Sequence, residues 1–107
     1  MTRQEHLLII AAEECVEVAQ RLTKALRFGL DEVQPNATDG IHPPTNPDGL
    51  TNRERVMREY YDLRAVLGMA GFDAWDVSDR ARRCEEAKVE KVERFLRYSA
   101  TCGTLTS

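Results

Sequence analysis

The chain reads as all-α, and three observations say so. Apolar residues recur at helical spacing in three long stretches. Two of these stretches open on helix-start signatures, Thr2 with Glu5 and Thr51 with Glu54. The four prolines all fall between Pro35 and Pro47, so the three stretches are free of helix breakers. At 107 residues the chain makes one domain, expected as a bundle of about three main helices. A core this small gains from oligomerisation.

Helix one is expected from about Thr2 to Phe28, capped by Thr2 and stopped at Gly29, with Lys24 and Arg27 in its last turns. With Glu14 set at zero and about 100° per residue, Leu8, Ala11, Ala12, Cys15, Val18, Ala19, Leu22, Ala25 and Leu26 fill an arc from about 20° to 160°. Glu14 sits on the edge of that arc. Glu17 lies about 60° further out and Glu13 about 100° out. Arg21 and Lys24 share the Glu14–Glu17 side. These charges are either a solvated face, with Glu17–Arg21 and Glu14–Arg21 pairs, or acid and base placed together to hold a metal and a phosphate.

Residues 31–50 break the pattern. Pro35, Gly40, Pro43, Pro44, Pro47 and Gly49 stand among Asn36, Asp39, Asn46 and Asp48. A loop of this length in a small domain serves as a lid or binding loop, or is disordered. His42 within it is more often incidental than catalytic.

Helix two is expected from about Asn52 to Ala70, its end weakened by Gly68 and Gly71. Here Glu59 falls inside the apolar stripe, between Val66 and the arc of Tyr60, Leu63, Leu67 and Ala70. A carboxylate there must be paired, protonated or bound to a metal. A core salt bridge, to Arg55 or to a base on another helix, is the plain reading. Asp62 follows one turn on. Phe72 and Trp75 in the next linker are expected to plug the end of the bundle. Asp76 or Ser78 caps helix three, which runs to about Ser99. Lys88 falls within its apolar arc and Lys91 on the edge, where lysines usually snorkel. The tail, residues 101–107, is expected to fray.

The composition narrows the function. A net charge of -3 gives no footprint for nonspecific nucleic-acid binding. Cys15, Cys84 and Cys102 fit no metal or redox spacing and are expected as small, reduced thiols, Cys15 and Cys84 at apolar positions. No signal peptide or membrane span is evident, and a cytoplasmic protein is expected. A di-iron bundle would need Glu-x-x-His, and neither His6 nor His42 sits in one. What stands out is two carboxylate pairs, Glu14/Glu17 and Glu59/Asp62, each on one helix face. Packed antiparallel, they bring four acids to one small volume. Oxygen ligands of that kind suit Mg²⁺, with Mn²⁺ as a substitute.

On these residues the chain resembles the all-α nucleoside triphosphate pyrophosphatase superfamily, and within it the MazG-like proteins. That family carries EExxE on one helix and ExxD on the next. Here these are Glu13-Glu14-xx-Glu17 and Glu59-xx-Asp62. The run Lys24-Ala25-Leu26-Arg27-Phe28-Gly29-Leu30 looks like the sequence after the acidic motif in short MazG-like proteins of bacteria and bacteriophages. The resemblance spans about residues 5–98, and the insert at 31–50 makes the interval between motifs long. It implies Mg²⁺-dependent hydrolysis of a (d)NTP to the monophosphate and pyrophosphate. It also implies a four-helix-like core completed by dimerisation, as a homodimer or homotetramer, in a bacterial or phage-infected cytoplasm. Glu14, Glu17, Glu59 and Asp62 are then the catalytic metal ligands. Lys24, Arg27 and Lys88 are expected at the phosphates, and Glu13 and Lys91 behind the metal site. Phe28, Tyr60 and Tyr61 are candidates for the base pocket. The alternative is a non-catalytic, dimeric helical interaction module.

Overall fold

The computed structural model describes residues 1–36 and 39–106. It is all-α, with α1 at Arg3–Phe28, α2 at Asn52–Met69 and α3 at Asp79–Thr101. The chain divides into two compact units, Met1–Ala74 and Trp75–Ser107. No helix among the described residues is long and apolar enough to cross a membrane.

The first unit is an antiparallel pair of helices. The Gln4 amide at the start of α1 donates to the Ala70 carbonyl at the end of α2 at 2.7 Å. At the opposite end, Asn52 Nδ2 donates to the Gly29 carbonyl at 2.8 Å. Thr2 caps α1 by accepting from the Glu5 amide at 3.1 Å. Thr51 and Glu54 form a complete capping box on α2.

The packed seam of α1 differs from the expected stripe. Leu7, Ala11 and Ala25 are buried, and Glu14, Val18 and Arg21 are half-buried between them. These six recur at steps of three and four, one line along the helix. Glu14 therefore lies within the packed line rather than on its rim. Cys15, Leu22 and Leu26, expected inside, are exposed, as is Leu8. The facing seam of α2 is Asn52, Val56, Glu59, Leu63, Val66 and Ala70, all buried or half-buried. Both seams thus carry charge in the middle and apolar or amide groups towards the ends.

Gly71 closes α2 rather than weakening it. It takes a φ of 94°, its amide donates to the Gly68 carbonyl, and the Phe72 amide donates to the Leu67 carbonyl at 3.0 Å. That is the Schellman pattern, which needs a left-handed residue after the cap.

Asparagines organise the connection between α1 and α2. Asn46 is buried; its Nδ2 donates to the Gln34 and Leu50 carbonyls, both at 3.0 Å, and its Oδ1 accepts from the Leu50 amide at 3.1 Å. Asn52 Nδ2 also reaches Glu32 Oε2 at 2.8 Å. A single antiparallel bridge joins Val33 to Thr51. His42 pairs with Asp39 on the loop surface. Ala37 and Thr38, part of the expected loop, lie outside the described residues.

In the second unit, Ser78 caps α3 by accepting from the Ala81 amide at 3.2 Å. The helix ends in a second Schellman pattern, with Thr104 N bonded to Ser99 O at 3.0 Å and Gly103 at a φ of 79°. The tail expected to fray from residue 101 is thus ordered as far as Thr104; Ser107 lies outside the described residues. Phe72 and Trp75, expected to plug the bundle, are 53% and 62% exposed. All three thiols are exposed.

Candidate metal and phosphate site

The two helices meet at a carboxylate cluster. Glu14, Glu17 and Glu59 each offer an oxygen, and these atoms lie within 4.8 Å of one another. Glu14 and Glu17 share one side of α1, one turn apart; the antiparallel packing brings Glu59 of α2 against them. Asp62 is exposed and outside this closest set, yet near enough that its charge acts on both Glu14 and Glu59. Glu13 is exposed.

The electrostatics are unfavourable without a counter-charge. Burial first, then the Glu17 carboxylate, raises the Glu14 pKa above its ordinary value; Asp62 and Glu59 push the same way. Burial, then Glu17 and Asp62, raise that of Glu59, while Arg21 partly offsets them. The Arg21 guanidinium lies 3.8 Å from Glu59 Oε1, with the two side chains 23% and 19% exposed. This is the salt bridge to another helix that the apolar setting of Glu59 anticipates, and it is long. Glu14 Oε2 is buried and has no hydrogen-bond partner among the described residues. A buried acceptor left unbonded costs free energy on the order of 1–3 kcal/mol, more when charged.

A divalent cation answers this arrangement. The donors are all hard carboxylate oxygens. Three such oxygens within 4.8 Å of one another are close enough for one ion to draw on all three. The residues present fit the ion.

Beside Glu59 lies a cavity of about 130 Å³ walled by Arg21, Arg55 and Arg58 and closed by loop residues 45–48. Of these arginines, Arg21 was expected on the Glu14–Glu17 side and Arg55 as an ion-pair partner of Glu59; the cavity they share with Arg58 was not expected. Their signal was spacing: Arg21 stands four and seven residues after Glu17 and Glu14, and Arg55 stands four before Glu59.

The basic residues expected at the phosphates are not among the residues that line this cavity. Lys24 is half-buried but does not line the cavity. Arg27 is exposed and stacks over the Phe28 ring at 5.0 Å. Lys88 and Lys91 belong to the second unit, where the Lys91 ammonium sits 5.9 Å from the Phe95 ring centroid. Tyr61 lines a wide groove with Leu50, Met57 and Arg58. Tyr60 packs beside it, and the Arg64 guanidinium lies over both rings.

In comparisons with protein-family models, with curated proteins and with solved structures, nothing matches the chain.

Proposed function

We propose that this chain is a Mg²⁺-dependent nucleoside triphosphate pyrophosphohydrolase, converting a (d)NTP and water to the monophosphate and pyrophosphate. The observation that carries the proposal is the convergence of Glu14, Glu17 and Glu59, with the buried Glu14 Oε2 left without a donor. The MazG-like motifs supply the reaction class.

Glu14, Glu17, Glu59 and Asp62 would hold the ion. Bound there, magnesium supplies positive charge against the phosphate oxygens and polarises the phosphorus. A carboxylate oxygen not engaged with the ion accepts a hydrogen bond from water and orients it. The water oxygen bonds to the α-phosphorus and gives up a proton to that carboxylate, the bond to the α–β bridging oxygen breaks, and pyrophosphate leaves with that electron pair. Lys24, Arg27 and Lys88 remain candidates for phosphate contacts, with Lys91 and Glu13 behind them. The chain would act as a homodimer or a larger homo-oligomer. The exposed face of α1 bearing Leu8, Cys15, Leu22 and Leu26, which α2 does not cover, supports that.

A non-catalytic helical module is the second reading. The Arg21–Glu59 pair favours it, since that pair neutralises one carboxylate without a cation. It leaves the buried Glu14 Oε2 without a hydrogen-bond partner, which weighs against it.

The test is a panel of NTPs and dNTPs incubated with Mg²⁺, with products separated by chromatography. Monophosphate and pyrophosphate are expected. Glu59→Gln should keep the fold and lose more turnover than the roughly 10–100-fold cost of losing an outer-shell partner. Diphosphate with phosphate, or no turnover on any nucleotide, contradicts the proposal.

A further inference from the structure

The arginine-walled cavity beside the carboxylates has the chemistry of an anion site. Arg21, Arg55 and Arg58 share its lining with Asp48 and Glu59, three guanidinium groups against two carboxylates. Arg58 is tied to Asp48 at 2.6 Å, and Arg21 reaches Glu59 only at 3.8 Å. Arg55 differs from both. Its N–H groups donate to Gln34 Oε1 at 3.0 Å and to the Thr45 carbonyl at 3.2 Å, which are neutral acceptors. No carboxylate among the described residues lies within ion-pair distance of it. Arg55 is half-buried; burial, then the neighbouring Arg21 charge, pulls its pKa down, and the Glu59 and Glu32 charges partly offset them. Two fixed acceptors orient the Arg55 guanidinium in advance, and that fork matches phosphate oxygens.

Size limits the occupant. Pockets that take a whole small molecule run to roughly 300–1,000 Å³. A cavity of about 130 Å³ falls below that range and is on the scale of tetrahedral oxyanions.

We propose that the Arg21–Arg55–Arg58 cavity is an anion subsite that takes the β- and γ-phosphoryl groups of the substrate and holds them as the leaving pyrophosphate. The identity of the anion rests on the hydrolytic reading; the basic cavity does not. With a cation held at Glu59, that carboxylate would be less available to Arg21, and the Arg21 guanidinium would be left to the cavity. Cation and anion therefore reinforce each other's binding.

The experiment is a calorimetric titration of the full chain, stripped of metal on a chelating resin and at low ionic strength, with inorganic pyrophosphate. Orthophosphate and a nucleoside monophosphate serve as comparison probes. Pyrophosphate is expected to bind best and to weaken with added salt. Arg55→Gln and Arg58→Gln, each checked for native helicity by circular dichroism, should each weaken it by about tenfold or more, or about 1.4 kcal/mol. No pyrophosphate binding to the wild type overturns the subsite, as do folded variants that bind like wild type. The two readings fail separately. Pyrophosphate binding lost in Arg55→Gln, in a protein that turns over no nucleotide, upholds the subsite and removes the hydrolytic reading. Turnover that proceeds with pyrophosphate affinity unchanged in both variants removes the subsite alone.

Discussion

Glu14 stands where a packing residue would otherwise be, between Ala11 and Val18 on the seam of α1. Its carboxylate has like charges for neighbours and a buried oxygen with no donor. The consequence for stability has a definite sign. The folded protein holds the Glu14 proton more tightly than the unfolded chain does, so it binds more protons just above the ordinary value of 4.5. Stability of the metal-free protein then falls as pH rises from 4.5 through the raised value, and the penalty is full above it. Glu59 adds to the same trend. Glu14→Gln cannot ionise, so metal-free Glu14→Gln should melt a few degrees higher than wild type at pH ~8, on the scale of roughly 4–8 °C per kcal/mol. Mg²⁺ should raise the wild-type Tm there and leave the variant almost unchanged. A wild-type Tm that is flat from pH ~5 to ~8 in metal-free buffer, or a variant that melts lower, is inconsistent with this electrostatic picture. The sequence marked Glu14, Glu17 and Glu59 through spacing and the apolar setting of Glu59. It did not show that Glu14 lies within the packed seam, because the apolar arc of α1 has two sides and only packing against α2 decides which is used.

At the scale of elements, the starts of α1 and α2 were legible to the residue, because capping is local chemistry between Thr2 and Glu5 and between Thr51 and Glu54, while the start of α3 was narrowed to Asp76 or Ser78, of which Ser78 is the cap. The ends were less so. Gly71 reads as a helix weakener in sequence and acts as a stop once its left-handed turn has formed. The connection between α1 and α2 was legible only as loop. Its composition does not say which asparagine is pinned, since that depends on contacts twelve residues apart, such as Asn46 to the Gln34 carbonyl. Those contacts set the cavity floor, so the loop holds Thr45 and Asp48 against Arg55 and Arg58. Asn46→Ala would strand the Gln34 and Leu50 groups that it bonds. The expected cost is about 1–3 kcal/mol, against about 1 kcal/mol for Thr51→Ala, which removes only a cap. Urea unfolding monitored by circular dichroism measures both. A loss under about 0.5 kcal/mol for Asn46→Ala would mean that the loop is not held this way.

At the scale of the molecule, the all-α class followed from helical periodicity and from the confinement of proline to one interval. Burial did not follow. Among the described residues, only Leu7, Ala11, Ala25 and Ala70 are buried apolar residues, while Leu22, Leu26 and Phe95 stay exposed. An apolar face that α2 does not cover is the mark of a surface that another helix packs against. Self-association through α1 is therefore expected, with a Tm that rises with protein concentration. Sedimentation should give at least a dimer for wild type and a monomer for the Leu22→Glu/Leu26→Glu double variant. A wild type that sediments as a monomer at tens of micromolar, on the order of a typical assay, is the contrary result. The cation proposed for the acids at the α1–α2 seam can be tested directly. Titrating wild type and Glu59→Gln with Mn²⁺, with free ion read by electron paramagnetic resonance, tests it without reference to any substrate. The account predicts saturable Mn²⁺ binding that Mg²⁺ displaces, weakened by more than tenfold (about 1.4 kcal/mol) in the variant. Wild type that leaves the Mn²⁺ signal undiminished, or a folded variant that binds the ion equally well, would contradict it.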